Sequence, residues 1–358
     1  MAGSLHIGGS EHVLIGILKR LERHSFEPHL ALLSCEGDFL DAVPPDVAIH
    51  SLGVHRARMA SWPIARLCWK LRPQAIVSFA AHVNLAVILA KPGLPAKTHI
   101  LAREGANITL AEVSSAAQRM VLRMLYPRAD LIICQSDDMV QRMASRLRIP
   151  KDKLVRIYNP VDASELRHFA QGPSPFHGRG PHLLSVGSLF PVKGTDLLIH
   201  ALPAVLSAYP DADLTVVGRG PLEGELRALA ARTGVERAVT FVGMQSNPYP
   251  FIGHADLLVI SSRSEALPNV ALEALALGTP VVATNCPGGI REIAQRTERL
   301  SLATGVDSRT LALAINEKLA NLSADNQDRT SEEQFLAEFS PERIIPMYED
   351  AVERVVAA

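Results

Sequence analysis

Short apolar segments alternate with longer helical patterns along nearly the whole chain of 358 residues. The first half contains "HLALLSC", "AIVSFA", "HILARE", "LIICQS" and "VRIYN", and the second contains "HLLSVGS", "DLTVVG", "VTFVG", "LLVISS", "PVVAT" and "LSLATG". Runs of this length, rich in Val, Ile and Leu, are typical of buried parallel strands covered by helices. The sequence therefore predicts an α/β fold with doubly wound parallel sheets.

A break in this alternation predicts two domains. Gly, Pro and polar residues cluster in "HFAQGPSPFHGRGPH", residues 168–182, without apolar periodicity. Ser340 and Pro341 mark the start of a last helix. We expect ligands to bind in a cleft that faces the carboxyl ends of both sheets. The predicted parts are an N-terminal domain over 1–167, a linker over 168–181, a C-terminal domain over 182–339, and a helix over 340–358 that packs back toward the N-terminal domain.

Charge is unevenly distributed between the two halves. Residues 1–160 carry 20 Lys and Arg against 13 Asp and Glu, which leaves 16 against 24 for the remainder of the 36 and 37. A basic first half indicates an anionic partner, such as a membrane surface or a phosphate-bearing molecule. Uneven but solvated charge is the alternative.

Cysteine usage and hydropathy indicate the compartment. Cys35, Cys68, Cys134 and Cys286 form no CxxC or Cys/His spacing, so the sequence predicts neither a disulfide framework nor a zinc site. The apolar runs are strand-sized, and "MAGSLHIGG" lacks the regions of a signal peptide. We therefore expect a cytoplasmic protein that is soluble or peripheral on a membrane.

The stretch "SSRSEALPNVALEALALGTPVVATN", residues 261–285, is the first candidate site. Pro268 suits the first position of a helix, which places Glu265 in the loop before it and Glu273 inside it. The unpaired amides at the helix start are suited to an anion such as pyrophosphate, and the flanking carboxylates are suited to sugar hydroxyls. An exposed helical Glu near an unrelated loop Glu explains the same residues equally well.

Two further segments are candidate phosphate sites. In "SVGSLFPVKGTDLLIHAL", Lys193 and Gly194 lie between a strand and a helix, although a surface lysine in a turn would look the same. In "LHIGGSEHVL", Gly8 and Gly9 precede a helix that begins near Ser10. The glycines of "VVGRGPLEG" do not follow the dinucleotide-binding spacing G-x-G-x-x-G.

Together these segments resemble glycosyltransferase family 4, whose members are retaining, nucleotide-sugar-dependent enzymes with the GT-B fold of two Rossmann-like domains. The resemblance spans nearly the whole chain, in the order "GGSEHVL", "VRIYNPVD", "VGSLFPVKG", "VVGRGPLEGEL" with "VTFVG", and "SEALPNVALEALALGTPVVAT". The last segment matches the family's motif of two glutamates separated by seven residues, which is the most specific of the five.

The resemblance implies a role for each candidate. Glu265 would contact hydroxyls of the transferred sugar, Glu273 the nucleotide ribose, and Lys193 the diphosphate. It implies Glu265 and Lys193 as the catalytic residues, and neither a metal ion nor a cofactor. Gly8 and Gly9 would approach the diphosphate from the N-terminal domain. The full set of implied donor-binding residues is Gly8, Gly9, Gly187, Ser188, Lys193, Gly218, Ala266, Leu267, Pro268, Asn269 and Glu273.

The chain departs from the family pattern inside the donor site. Ser188 stands where the family usually has Arg, which removes a cation worth roughly 1.5 to 3 kcal/mol in a charge-assisted contact. Ala266 stands where the family usually has Gly, a mild change if the backbone keeps negative φ.

The chain also departs from the family pattern in the N-terminal domain. "LAREGAN" offers Arg103 and Glu104 where many members carry a His, so these two and His82 are secondary candidates on the acceptor side. "MAGSL" supplies at most half of the family's first strand, so the central strand is expected to be truncated or missing. Either translation begins upstream, or the first domain is weakened and the protein is inactive.

"MQSNPYPFIGHADLLVISSRSE" is similar to members that build bacterial surface polysaccharides on a lipid carrier. In "HRARMASWPIARLCWKLRP", Trp62 and Trp69 lie among basic residues, which suits a headgroup surface, although an ordinary amphipathic helix is an equal alternative. The expected function is retaining, metal-independent transfer from a UDP- or GDP-sugar to a saccharide acceptor, lipid-linked, at the inner face of the membrane. No nucleic-acid partner is expected. A nucleotide-sugar epimerase and a non-catalytic nucleotide-sugar-binding or partner protein of the same fold are the alternatives.

Overall fold

The chain forms two compact units. The computed structural model describes residues 1–6, 8–105, 116–178, 180–322 and 329–357. Unit 1 comprises Met1–Pro160 together with the C-terminal residues from Pro341, and unit 2 comprises Val161–Ser340. Both are built on parallel sheets with helices, so the predicted fold class is confirmed.

Unit 1 contains two parallel sheets, one of two strands in the order β1-β2 and one of four in the order β3-β4-β5-β6. The strands other than β2, which is largely exposed, are rich in branched aliphatic residues and lie mostly buried, as expected for parallel strands covered by helices. They are β1 (His29–Leu32), β2 (Ala48–Ser51), β3 (Ala75–Phe79), β4 (His99–Arg103), β5 (Leu131–Cys134) and β6 (Leu154–Arg156).

The first residues of the chain join these two sheets. The Met1 amino group donates to the Val77 carbonyl at 2.7 Å, and the Met1 carbonyl accepts from the Phe79 amide at 2.9 Å. On the other side, Ala2 forms a parallel bridge with Leu32. A short extended segment therefore lies between β1 and β3, where the central strand was expected to be truncated or missing.

The helices of unit 1 follow the strands in the expected alternation. Consecutive helices α2, α3, α4 and α5 contact one another in order, so they form one layer. Their bounds, with that of the first helix, are α1 (Gly9–Arg20), α2 (Ser61–Leu71), α3 (Ala81–Ala90), α4 (Ala116–Leu125) and α5 (Asp137–Leu147). Helix α1 begins at Gly9, with Gly8 as its N-cap, one residue before the Ser10 near which its start was predicted.

Unit 2 contains a six-stranded parallel sheet in the order β12-β11-β10-β7-β8-β9. Numbered by their sequence in the chain, the six strands lie in the order 6-5-4-1-2-3, which is the Rossmann arrangement. The strand order, and not the strand direction, reverses between β7 and β10. The strands are β7 (His182–Val186), β8 (Asp213–Val217), β9 (Val239–Gly243), β10 (Leu257–Ile260), β11 (Val281–Ala283) and β12 (Leu300–Leu302). Ligands of such sheets bind at the carboxyl ends of the strands beside the reversal.

The helices of unit 2 bury their apolar faces against this sheet. Leu198 and Leu202 of one helix and Leu311 and Ile315 of another are fully buried in a core that includes Leu214 and Val259 of the strands. The bounds are α6 (Ala163–Phe169), α7 (Thr195–Ala208), α8 (Glu223–Arg232), α9 (Tyr249–His254), α10 (Asn269–Ala276), α11 (Ile290–Ala294), α12 (Ser308–Asn321) and α13 (Arg329–Ala337). The final helix, α14 (Pro341–Val356), belongs to unit 1 and contacts α1, β3 and β4.

The boundary between the units differs from the predicted one. The first unit ends at Pro160 rather than at residue 167. Asp162 caps α6 by accepting from the amides of Ser164 and Glu165, and α6 packs on α9 and α10. The predicted linker 168–181 therefore lies inside unit 2, and Arg179 within it is outside the described residues. The Gly and Pro residues of 168–181 therefore mark irregular backbone of unit 2 and not the connection between the two units.

Candidate functional site

Two loops of unit 2 meet beside the reversal of strand order. Lys193 follows β7, Glu265 follows β10, and the Lys193 Nζ lies 2.7 Å from the Glu265 Oε1. The Ser262 hydroxyl donates to the same carboxylate oxygen at 2.5 Å. The Lys193 side chain is 33% exposed and that of Glu265 is 10% exposed, so the cation faces solvent while the carboxylate is held behind it. The structure thus joins the two residues predicted to be catalytic.

Close backbone contact fixes the position of Lys193. Gly194 has a φ of +61°, and a Cβ built on it would lie 2.1 Å from the Ser261 carbonyl oxygen. The Ser261 hydroxyl donates to the Lys193 carbonyl at 3.0 Å. Only glycine combines this conformation with this contact, which explains the Lys-Gly pair.

An ion pair ties the same two loops together. The Arg263 guanidinium donates to both carboxylate oxygens of Asp196 at 2.8 and 2.7 Å, and to the Pro191 carbonyl at 2.8 Å. The Arg263 amide donates to the Val192 carbonyl at 2.7 Å. This contact with Arg263 holds the pKa of Asp196 below its usual range. Sequence analysis missed this pair, because nothing in its spacing relates Asp196 to Arg263.

The loop after β11 supports the Glu265 side of the site. The Glu265 amide donates to the Pro287 carbonyl at 3.1 Å, and the Gly289 amide donates to the Ala266 carbonyl at 2.9 Å. Burial, together with the nearby Glu265 charge, raises the pKa of the Cys286 thiol to about 12. Cys286 is therefore a neutral packing residue beside the carboxylate and not a nucleophile.

Helix α10 starts immediately after Glu265. Its first residue is Asn269, and Pro268 is the N-cap, which corrects the prediction that Pro268 is the first helical residue. Pro268 has no N–H, so the donors there are the backbone amides of its neighbours, including the buried Leu267. Arg72, Ala80 and Arg148 are the non-glycine residues with positive φ among the described residues, so Ala266 fits without strain.

Glu273 lies inside α10 and is half-buried. Burial raises the pKa of its carboxyl to about 7. The pKa of the buried Tyr249 phenol is raised by burial and then by the Glu273 charge, so the two groups lie near each other. The Glu273 carboxyl makes no hydrogen bond or ion pair with any residue that the structure describes, Lys193 and Glu265 included. It is a half-buried acceptor for which the described residues supply no hydrogen-bond partner.

Three more of the residues predicted to bind the donor, Gly187, Ser188 and Gly218, follow β7 and β8. The Gly187 amide donates to the Val217 carbonyl at 2.9 Å, and a Cβ on Gly218 would lie 1.9 Å from the Gly187 carbonyl oxygen. Gly218 therefore permits this close approach of the loops after β7 and β8. Ser188 follows half-buried, so the position next to Gly187 carries no cation.

The secondary candidates lie in unit 1, where two of them form a buried network. Arg103 is 1% exposed and donates to the Tyr348 hydroxyl at 3.0 Å and to the Asn159 Oδ1 at 2.6 Å. The fully buried Glu104 carboxylate accepts from the Tyr126 hydroxyl. These contacts tie β4 to α14 and favour a structural role for both residues.

The other unit 1 candidates are not part of this network. His82 is exposed on α3. Gly8 and Gly9 lie at the start of α1, and their contact with a diphosphate stays a prediction.

Within the described ranges, no three His, Cys, Asp or Glu side chains come together as a metal site. No helix in that part of the chain is long and apolar enough to cross a membrane.

Comparison with known proteins matches both halves of the chain. Residues 180–321 match the model for glycosyl transferases group 1, and residues 7–165 match the model for glycosyltransferase family 4. The lipopolysaccharide core biosynthesis mannosyltransferase LpsB of Rhizobium meliloti is 31% identical over 260 residues, which cover 66% of this chain and 71% of that protein.

Other relatives extend the likeness over different lengths. An N-acetylgalactosamine-N,N'-diacetylbacillosaminyl-diphospho-undecaprenol 4-alpha-N-acetylgalactosaminyltransferase of Campylobacter jejuni is 27% identical over 305 residues, 81% of either chain. An uncharacterized glycosyltransferase of Methanocaldococcus jannaschii is 31% identical over 179 residues, which cover 49% of this chain and less than half of that protein, 44%. The crystal structure of HepE from Anabaena in complex with UDP superposes with a TM-score of 0.76 at 20% identity, covering 99% of this chain and 98% of that one.

Proposed function

We propose that this chain, which belongs to the family 4 glycosyltransferases and has their GT-B fold, transfers a sugar from a UDP- or GDP-sugar to a saccharide acceptor. The observation that carries the proposal is the contact between Lys193 and Glu265 at the reversal of the unit 2 sheet. The site combines a cation, a carboxylate and a helix start, as a sugar diphosphate requires.

The half-exposed ammonium supports a role on the diphosphate. Lysine carries three N–H donors, and the Glu265 carboxylate takes one of them. The backbone amides around the start of α10, which begins at Asn269, add donors that favour negative charge. Donors aimed at the departing nucleotide diphosphate stabilise the place where negative charge grows in the transition state, so no metal ion is needed for that step.

The two carboxylates support binding of the hydroxyl groups of the donor. Glu265 lies behind Lys193, where it accepts hydrogen bonds from the transferred sugar. Glu273 lies further along α10 with a half-buried carboxyl that accepts no hydrogen bond from a described residue, and we assign it to the nucleotide ribose. A buried carboxylate gains from two hydroxyl donors, because burial without hydrogen bonds is costly.

The relatives support the acceptor class and the place of the reaction. The Campylobacter relative is named for transfer to a diphospho-undecaprenol saccharide, and the Rhizobium relative is named for lipopolysaccharide core biosynthesis. We infer a lipid-linked saccharide acceptor in surface polysaccharide synthesis, retention of anomeric configuration, and a cytoplasmic enzyme peripheral to the inner membrane.

Calorimetric titration with UDP and with GDP tests the donor site. One of the two nucleotides should bind the wild-type protein, and Lys193→Ala should weaken that binding at least tenfold, since a charge-assisted contact is worth about 1.5 to 3 kcal/mol. Ser188→Arg should tighten it by returning a cation. Arg232→Ala, an exposed residue at the end of α8, serves as the control. Equal binding by the wild type and Lys193→Ala, or binding of neither nucleotide, would contradict the assignment.

A further inference from the structure

One long stretch of unit 1 carries positive charge alone. After Asp46 the next acidic residue is Glu104, so residues 47–103 contain no Asp or Glu. Lys91 is paired with Asp130, and Arg103 is buried. The cations of the stretch are Arg56, Arg58, Arg66, Lys70, Arg72, Lys91, Lys97 and Arg103. A single-sign stretch of this length attracts an anionic surface.

Helix α2 presents two tryptophans among these cations. Trp62 and Trp69 are seven residues apart, hence on one helix face, and are 70% and 51% exposed. Ile64 and Cys68 bury the opposite face. Arg66 lies on the outer face between the two rings, which exposes large apolar groups next to positive charge.

The two rings are held in place. The Trp69 indole donates to the Gly93 carbonyl at 2.9 Å, and the Arg72 guanidinium lies 4.2 Å from the centre of the same ring. The Arg66 guanidinium lies 5.8 Å from the centre of the Trp62 ring. Both tryptophan rings therefore have defined contacts at the surface and face the solvent.

The neighbouring helices of the layer also expose large apolar side chains. Leu89 of α3 is 50% exposed, and Met120 and Met124 of α4 are 56% and 58% exposed. Of the twelve large hydrophobic residues that are exposed in the described part of the chain, seven lie between Met59 and Met124. We name the surface formed by Met59, Trp62, Trp69, Leu89, Met120 and Met124 the α2–α4 face.

We propose that the α2–α4 face docks on a lipid bilayer that carries anionic headgroups. Tryptophan suits the interface between headgroups and acyl chains, and each Lys or Arg near an anionic surface contributes about 1 kcal/mol. The cores of protein–protein interfaces are depleted of charge, whereas here cations alternate with the apolar side chains. The proposal rests on the lipid-linked acceptor inferred above, because such an acceptor places the enzyme at a membrane.

Fluorescence tests this directly, because Trp62 and Trp69 are the only tryptophans of the chain. The full-length protein is mixed with vesicles of equal parts phosphatidylglycerol and phosphatidylcholine, and separately with pure phosphatidylcholine. With the anionic vesicles the emission should shift to shorter wavelength and be quenched by lipids with brominated chains, and added salt should reverse both effects. An unchanged emission, or equal effects with neutral vesicles, would overturn the proposal.

Charge reversal on the face provides the matched comparison. The double variant Arg66→Glu with Lys70→Glu should lower vesicle affinity in sedimentation by at least about thirtyfold, because losing the two cations removes about 1 kcal/mol each and the added carboxylates are repelled. Arg232→Glu with Arg237→Glu, exposed cations of unit 2, should bind like the wild type. Equal losses in both pairs would overturn the assignment to α2. Unchanged nucleotide binding in every variant shows that the fold is kept. The assay uses no sugar donor or acceptor, so its failure leaves the transferase proposal to be judged separately.

Discussion

At the scale of single residues, Glu273 carries a cost that depends on pH. Burial raises its pKa from the ordinary 4.5 to about 7. The folded protein thus holds this proton up to higher pH than the unfolded chain does. The stability this gives is present below pH about 4.5 and is lost as pH rises to about 7. The ionised Glu273 carboxylate therefore lowers the free energy of unfolding of the ligand-free protein at neutral and higher pH.

Glu273→Gln should remove this cost. At pH about 8 the free energy of unfolding of the variant should exceed that of the wild type by up to about 3 kcal/mol. At pH about 4 this difference should vanish. Urea denaturation at both pH values measures the difference. Glu236→Gln, at an exposed glutamate, is the control. A pH dependence equal to that of the control would contradict the buried state of Glu273.

Sequence reasoning reached some site residues and not others for a physical reason. Lys193 and Glu265 each follow an apolar strand, so their place at the carboxyl edge of a parallel sheet was predictable. Ser262 contacts the Glu265 carboxylate within the loop after β10, whereas Cys286 lies near it only because the loops after β10 and β11 meet. Contacts between loops depend on strand order, which the spacing of apolar segments does not encode.

At the scale of elements, the loops after β7 and β10 act as one piece held by Arg263. The side chains of Arg263 and Asp196 are 39% and 35% exposed. Because solvent screens such a pair, it contributes little to the free energy of unfolding. Its geometry is bidentate, however, and it holds the loop that carries Lys193. We therefore infer that Arg263 is a positioning residue for the donor site.

The variant Arg263→Ala distinguishes an effect on the position of Lys193 from an effect on the stability of the fold. The free energy of unfolding should fall by less than about 1 kcal/mol. Nucleotide affinity should nevertheless fall several-fold, and Arg263→Lys should restore it only in part because lysine cannot form the bidentate pair. Arg227→Ala, which breaks the exposed pair of Arg227 with Glu223 on α8, should leave affinity unchanged. Full nucleotide affinity in Arg263→Ala would refute the positioning role.

Element boundaries show a second limit of sequence reasoning. The Gly- and Pro-rich residues 168–181 were predicted to be a linker, yet the chain passes from unit 1 to unit 2 at Pro160 and Val161. Composition identifies irregular backbone, but it does not say which core that backbone packs on. The Val161 amide donates to the Phe339 carbonyl at 2.8 Å, a contact between residues far apart in sequence.

At the scale of the whole molecule, the sequence predicts the architecture of two units with parallel sheets. We infer in addition that the two units have different roles. The alternation of strands and helices, with five family segments in order, led to the GT-B fold that the comparisons establish. Unit 2 carries the contact between Lys193 and Glu265. Unit 1 carries the basic, tryptophan-bearing α2–α4 face that we assign to a membrane.

The central claim is sugar transfer through Glu265, and transfer itself tests it most directly. The wild type and Glu265→Gln are incubated with UDP- and GDP-sugars and a pool of lipid-linked saccharides, with EDTA present, and products are read by mass spectrometry and by NMR of the new anomeric centre. One donor should give a product of retained configuration with the wild type, and Glu265→Gln should bind nucleotide but form none. Donor binding without transfer, isomerisation of the donor without an acceptor, or full transfer by Glu265→Gln would contradict the account.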